Sequence, residues 1–271
     1  MTEGRSRSGS PSIVTIACWF DLYAYGGEIE EACFDPSHPN AEKPIRRLRA
    51  FQRIVRENST TKFPTLVIND GAAAQTNIED PRSDKAWLFI QRCWKLYREA
   101  THADIRNSGR GLRAVIAVGL RAKGARAGIV AQEEAHTAII DALVRNEIDR
   151  DEAVSRARKV RRIFDIVPAL QANFAFTRAY EAESSGKGGG FPGPNLYLDT
   201  MVFKGEVPSW IGAGPPKPWR PDKRSLSTSF VTVNRILEVE DSIARASLHT
   251  GRELRALLSH PGGRRFLDCV G

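Results

Sequence analysis

In this chain of 271 residues, two apolar runs each deliver one acidic residue to a tight, small-residue end. The first is Ile13-Val14-Thr15-Ile16-Ala17-Cys18-Trp19-Phe20-Asp21, followed by Leu22-Tyr23-Ala24-Tyr25-Gly26-Gly27. The second is Thr65-Leu66-Val67-Ile68-Asn69-Asp70-Gly71-Ala72-Ala73-Ala74. Both read as strands. If they lie side by side, Asp21 and Asp70 converge, and converging carboxylates repel unless a cation sits between them. That is the geometry of a divalent-metal site for nucleoside triphosphate chemistry. Taken singly, each acid has a plain structural account: Asp70 sits in an Asn-Asp-Gly turn and Asp21 caps a strand.

The elements that must position these acids are legible in the pattern. Pro44 to Glu57 reads as an amphipathic helix, with Ile45, Leu48, Phe51 and Ile54 or Val55 on one stripe and arginines opposite. Thr65 to Thr76 reads as a hairpin, Lys85 to Ala100 as a helix, and Arg113 to Leu120 as a buried strand. The order β, α, β-turn-β, α, β describes an α+β, ferredoxin-like split βαβ palm, its antiparallel sheet covered by helices on one face.

Beyond that core, Gln132 to Asn146 and Asp151 to Phe164 read as two inserted helices, and Gln171 to Ser184 as a third. The glycine-rich stretch Ser185 to Pro194 follows a helix and lacks the Gly-Lys-Ser/Thr ending of a Walker loop, so it reads as a flexible loop able to act as a lid. Asn195 to Phe203 reads as a strand, Gly205 to Arg224 as irregular, and Thr228 to Ser259 as a mostly helical C-terminal extension. The expected organisation is a disordered tail over 1–12, a catalytic domain over 13–204, and a Pro/Trp-rich and helical extension over 205–271.

Composition narrows the class. A hydrophobic fraction of 41% suffices for one sizeable core. No apolar stretch approaches the roughly 20 residues that span a bilayer, and the first ten residues lack the apolar region of a signal peptide. A cytoplasmic protein without membrane contact is expected. Cys18, Cys33, Cys93 and Cys269 have no Cys-x-x-Cys spacing, and the five histidines form no ligand cluster, so neither zinc nor a disulfide framework is expected. The net charge of +8 favours polyanions, which a nucleoside triphosphate satisfies as well as a nucleic acid does. The basic cluster Arg158, Lys159, Arg161 and Arg162 reads as a solvated helix face, without the interleaved aromatics of a nucleic-acid platform. No nucleic-acid partner is expected.

The two Asp motifs resemble the metal-binding strand and hairpin of class III nucleotidyl cyclases, Phe-x-Asp-Ile-x-Gly-Phe-Thr and Gly-Asp-Gly. The matching residues are Asp21-Leu22-Tyr23-Ala24-Tyr25-Gly26 and Asn69-Asp70-Gly71. Ala24 replaces the family glycine, Gly26 the threonine and Asn69 the first hairpin glycine. The resemblance implies two Mg²⁺ or Mn²⁺ ions held by Asp21, Asp70 and the Leu22 carbonyl. It also implies a substrate-binding loop of Tyr23, Ala24, Tyr25 and Gly26, with Phe20 flanking the nucleotide. A helical Arg that stabilises charge on the phosphoryl group is matched by Arg178 in Asn173-Phe174-Ala175-Phe176-Thr177-Arg178. Five residues are about 140° of helix rotation, so Asn173 and Arg178 do not share a face. Asn173 is then either a second substrate-binding residue or a structural cap.

Base recognition departs from the purine cyclases. The family's purine-reading lysine would fall at Leu66, and the base-reading acid has only a loose counterpart in Asp165. This pattern resembles the bacterial pyrimidine cyclases of Pycsar anti-phage systems, which make cyclic UMP or cyclic CMP. The resemblance implies UTP favoured over CTP, a homodimer with shared active sites, and a separate effector activated by the cyclic nucleotide. Two other readings use the same residues: a palm-type oligonucleotide synthase, and a catalytically inactive palm that binds nucleotide or RNA.

Overall fold

The computed structural model describes residues 12–79, 85–122, 130–160, 167, 169–220 and 228–259. Of the tail expected over 1–12 only Ser12 is described, and it opens the first strand; Asp165, Arg161, Arg162 and Cys269 also lie outside the described residues. Contacts divide the chain into a main unit, 1–121 with 173–271, and a second unit, 122–172.

In the main unit, β1 (Ser12–Leu22) leads through α1 (Tyr25–Glu31) and α2 (Glu42–Asn58) to the hairpin of β2 (Thr65–Ile68) and β3 (Gly71–Asn77). Then come α3 (Lys85–Arg106) and β4 (Leu112–Ala122). These strands are ordered β2-β3-β1-β4, the split βαβ arrangement the alternation of elements suggested.

The second unit holds α4 (Val130–Val144) and α5 (Arg150–Lys159), joined by a small apolar cluster of Ile139, Ala142, Ile148 and Ala153. Asp149 caps α5 by accepting from the Glu152 N–H at 2.7 Å.

The chain returns to the main unit through α6 (Phe174–Ser184) and β5 (Leu196–Asp199), which runs parallel to β4. The sheet then continues through β6 (Ile211–Ala213), β7 (Lys217–Trp219) and β8 (Thr228–Ile236), before α7 (Asp241–Ser247) and α8 (Gly251–Ser259). The expected helix over 228–259 is therefore strand in its first third. Phe230, Val231 and Val233 are all buried as β8 pairs antiparallel with β5, and such a β-branched and aromatic run belongs in a sheet. The described part of the segment expected to be irregular, 205–220, is likewise tied to the core: it contains β6 and β7, and Trp210 packs edge-on against Trp87 at 4.7 Å between centroids.

Alternation along β1 sets the layers. Ile16, Cys18, Phe20 and Leu22 point into the main apolar core with Phe51, Trp87 and Ile90 from α2 and α3. Thr15 and Trp19 point to the other face, where Trp19 meets Phe176 and Tyr180 of α6 edge-on at 5.9 and 5.4 Å. The sheet is thus covered on both faces at β1, not on one as the alternation of elements suggested. Gly119 of β4 permits this approach, because a Cβ there would lie 2.6 Å from the Ala175 amide nitrogen.

Candidate active site

Asp21 and Asp70 meet where β1 and β3 end together. Asp21 is in register with Gly71, and the Leu22 N–H donates to the Asp70 carbonyl at 3.1 Å. Asp70 reaches this place on a two-residue loop whose first residue, Asn69, takes a left-handed conformation with φ 51°. The Asn69 side-chain amide donates to Asp70 Oδ1 at 2.9 Å. By alternation along β1, Asp21 shares the face of Trp19, away from Phe20.

The charges here are unbalanced. Burial, then Glu183 and Asp70, push the Asp21 carboxyl up to about 8, against the pull of Arg113 and Arg47. Asp70 is also raised by burial, and Glu183 by burial followed at some remove by Asp70. Glu183 closes the end of α6, and the sequence reading did not single it out. Arg113 Nε and Nη2 both reach Glu183 Oε1 at 2.5 Å, Nη1 donates to the Phe191 carbonyl at 3.2 Å, and the guanidinium carbon lies 5.4 Å from the Tyr23 ring centroid.

Beneath the loop after Asp21 lies a buried ionic network. Arg47 is fully buried and donates to both Asp104 carboxylate oxygens at 2.8 and 3.0 Å, to Glu28 at 2.7 Å and to the Tyr23 carbonyl at 3.0 Å. Asp104 also accepts from the Gly111 N–H at 2.8 Å, and the Gly111 carbonyl accepts from the Tyr23 N–H at 3.0 Å. One arginine from α2 and one aspartate from α3 thereby fix the backbone just past Asp21. The spacing carried a signal for Arg47, which stands four and eight residues before buried Phe51 and Val55, on the apolar stripe and not opposite it. Nothing comparable marked Glu183 or Arg113.

Several expected site residues are placed otherwise. Phe20 is fully buried in the core, so its ring cannot flank a nucleotide at the face that carries Asp21. The Tyr23 N–H is already used by Gly111, and Tyr25 is buried, while Ala24 (φ 60°) and Gly26 are exposed. Asn173 caps α6, its Oδ1 accepting from the Phe176 N–H and the Thr15 hydroxyl, both at 3.1 Å. Arg178 is buried in an internal ion pair with Asp199 at 3.2 Å and donates to the Val118 carbonyl at 3.1 Å. Within one chain it is not brought to Asp21 and Asp70. The loop over 185–194 is pinned rather than free, because Phe191 is buried against Tyr197 and Phe230.

The chain is similar in structure to guanylyl cyclase domains. The guanylyl cyclase Cya2 matches at a TM-score of 0.49 and 12% identity, over 85% of this chain and 96% of that one. The guanylate cyclase domain of RhGC from Catenaria anguillulae, in complex with GTP, matches at 0.42 and 8%, over 84% and 100%. The non-canonical dimeric guanylyl cyclase domain of the RhoGC fusion protein from Blastocladiella emersonii matches at 0.38 and 10%, over 82% and 97%. No protein-family model and no curated protein sequence matches the chain.

The donor set fits a hard divalent cation. Asp21 and Asp70 offer only oxygen, and a cation would favour the ionised Asp21 that burial, Glu183 and Asp70 now disfavour. Among the described residues no three His, Cys, Asp or Glu side chains are grouped to ligate an ion. Two carboxylates completed by backbone and substrate oxygens is the donor count Mg²⁺ accepts with a phosphate ligand.

Proposed function

We propose that this protein is a metal-dependent nucleotidyl cyclase that converts a pyrimidine nucleoside triphosphate, UTP before CTP, to its 3′,5′-cyclic monophosphate and pyrophosphate. One observation carries the reading: adjacent strands deliver Asp21 and Asp70 to one point, where burial raises both carboxyls and Asp70 further opposes the ionisation of Asp21. Asp21, Asp70 and the Leu22 carbonyl would hold Mg²⁺ or Mn²⁺, which supplies charge neutralisation and a more acidic ribose 3′-hydroxyl. The chain's own residues do the rest. The Arg47–Asp104 clamp fixes the Tyr23 backbone, so the acids are presented without reorganisation. Arg113, beside Tyr23 and Glu183, is a basic group at the site for an anionic substrate.

Half-buried Leu66 on β2 supports the pyrimidine assignment, since it offers no polar partner to a purine edge. The resemblance of the Asp motifs extends the proposal to a cytoplasmic homodimer whose product serves anti-phage defence through a separate effector. Arg178 enters it only if the pair with Asp199 opens. Among the described residues no helix is long and apolar enough to cross a membrane.

The test is product analysis by mass spectrometry after incubation with each of ATP, GTP, CTP and UTP and Mn²⁺. The expected product is cyclic UMP, with less cyclic CMP, and none from Asp21→Ala or Asp70→Ala. Linear oligonucleotides in place of cyclic products would establish the synthase reading instead.

A further inference from the structure

Along the outer face of α2 runs a row of arginines that the proposed chemistry does not use. Arg46, Arg49, Arg53 and Arg56 follow at spacings of three or four, so they share one stripe roughly 15 Å long. Three of them, with His38, Pro36 and Asn107, line an open groove of about 820 Å³ between the 36–39 segment and α2. Arg46 is paired with Glu42 at 3.2 Å, and Glu42 is the acid that lines this groove. Arg49, Arg53 and Arg56 have no acidic partner among the described residues. Like charges one turn apart cost a helix about 0.2–0.5 kcal/mol per pair. The Glu42 pair offsets that cost at Arg46 alone, and Arg49, Arg53 and Arg56 carry it without an ion pair among the described residues.

We infer that this groove binds the phosphate backbone of a single nucleic-acid strand without reading its sequence. A single phosphate needs one or two guanidiniums, whereas Arg49 and Arg53 in the groove and Arg56 beyond its end set three unpaired guanidiniums one helical turn apart, which matches successive phosphates of one strand. Arg suits this role because its fork bonds phosphate oxygens in pairs. The groove carries no aromatic ring among its lining residues, so base stacking adds nothing and the contact is electrostatic. The net charge of +8 is equally compatible with a triphosphate and a nucleic acid. The row on α2 is a second anionic site, independent of the cyclase reading.

Binding is read by fluorescence anisotropy of the full chain with fluorescein-labelled oligothymidylate of about 20 nucleotides, at salt between about 50 and 200 mM. The double variant Arg49→Gln/Arg53→Gln should weaken binding about 10-fold or more and flatten the slope of log K against log salt by about 1.4, about 0.7 for each lost contact. The control Arg158→Gln/Lys159→Gln on exposed α5 should change neither. Thermal melting of the double variant should match or exceed that of the wild type, because repulsion is removed. An unchanged slope in the Arg49/Arg53 variant, an equal loss in the α5 control, or no binding by the wild type at the lowest salt would overturn the inference.

Discussion

Arg113 holds Glu183 by two nitrogens on a single carboxylate oxygen, Oε1, at 2.5 Å, and in doing so ties the end of α6 to β4 beside Asp21. Both side chains are largely removed from water, so the pair's value lies in what happens when one partner is lost. Arg113→Met should leave a buried carboxylate uncompensated and destabilise the fold by about 3 kcal/mol, whereas Arg113→Met/Glu183→Gln should recover most of that. Urea denaturation of the three proteins checks it. Equal stability of the single and double variants would mean the pair is not coupled.

The Asp21 carboxyl gives stability a definite pH dependence. Its folded value, pushed up to about 8, exceeds its usual 3.8, so between those values the folded protein binds a proton that the unfolded chain releases. That contribution is full at low pH and is lost as pH rises towards 8. In EDTA, the melting temperature of the wild type relative to Asp21→Asn should therefore fall from pH 5 to pH 8 and level off above about 8. Mn²⁺ should reverse the trend, since it stabilises the ionised form. Parallel melting curves for the two proteins in EDTA would show that Asp21 is not perturbed.

The core of the fold was legible because each of its elements carries its own period: Ile16, Cys18, Phe20 and Leu22 alternate, while Phe51 and Val55 repeat at helical spacing. The strand at 228–236 was missed because its apolar residues sit next to a long polar, helix-compatible tail, and only pairing with β5 decides between the two. The two acids were legible for the same local reason, each ending its own strand. Glu183 and Arg113 were not, because α6 crosses to the second face of β1 over a long insertion, and no local pattern encodes that crossing.

Arg178 illustrates the difference between a motif position and a role. The resemblance to class III cyclases places it where removal of a transition-state arginine would lower turnover. The structure gives it Asp199 at 3.2 Å, and Asp199 also accepts from the Thr228 hydroxyl and the Met201 N–H. Arg178→Ala should thus destabilise the protein by about 3 kcal/mol, and Arg178→Ala/Asp199→Asn by distinctly less. Denaturation midpoints with the slope held constant are the measurement. A variant of wild-type stability with turnover reduced about 10²-fold would return Arg178 to catalysis.

In the proposed function base selection would rest on Leu66, which is half-buried on β2 and paired with Ala73 of β3. An apolar side chain at that edge can neither donate to a purine ring nitrogen nor accept from an exocyclic amine. A ligand whose polar edge is buried without partners pays the desolvation in full. Turnover with Mn²⁺ should therefore give kcat/KM for UTP about 10²-fold or more above that for ATP and GTP, with CTP between. Leu66→Lys should narrow the gap by raising the purines, because the new ammonium supplies the missing partner, and should leave metal dependence untouched. Equal kcat/KM for ATP and UTP in the wild type would remove the pyrimidine assignment and leave the cyclase, whereas no cyclic product from any triphosphate would remove both.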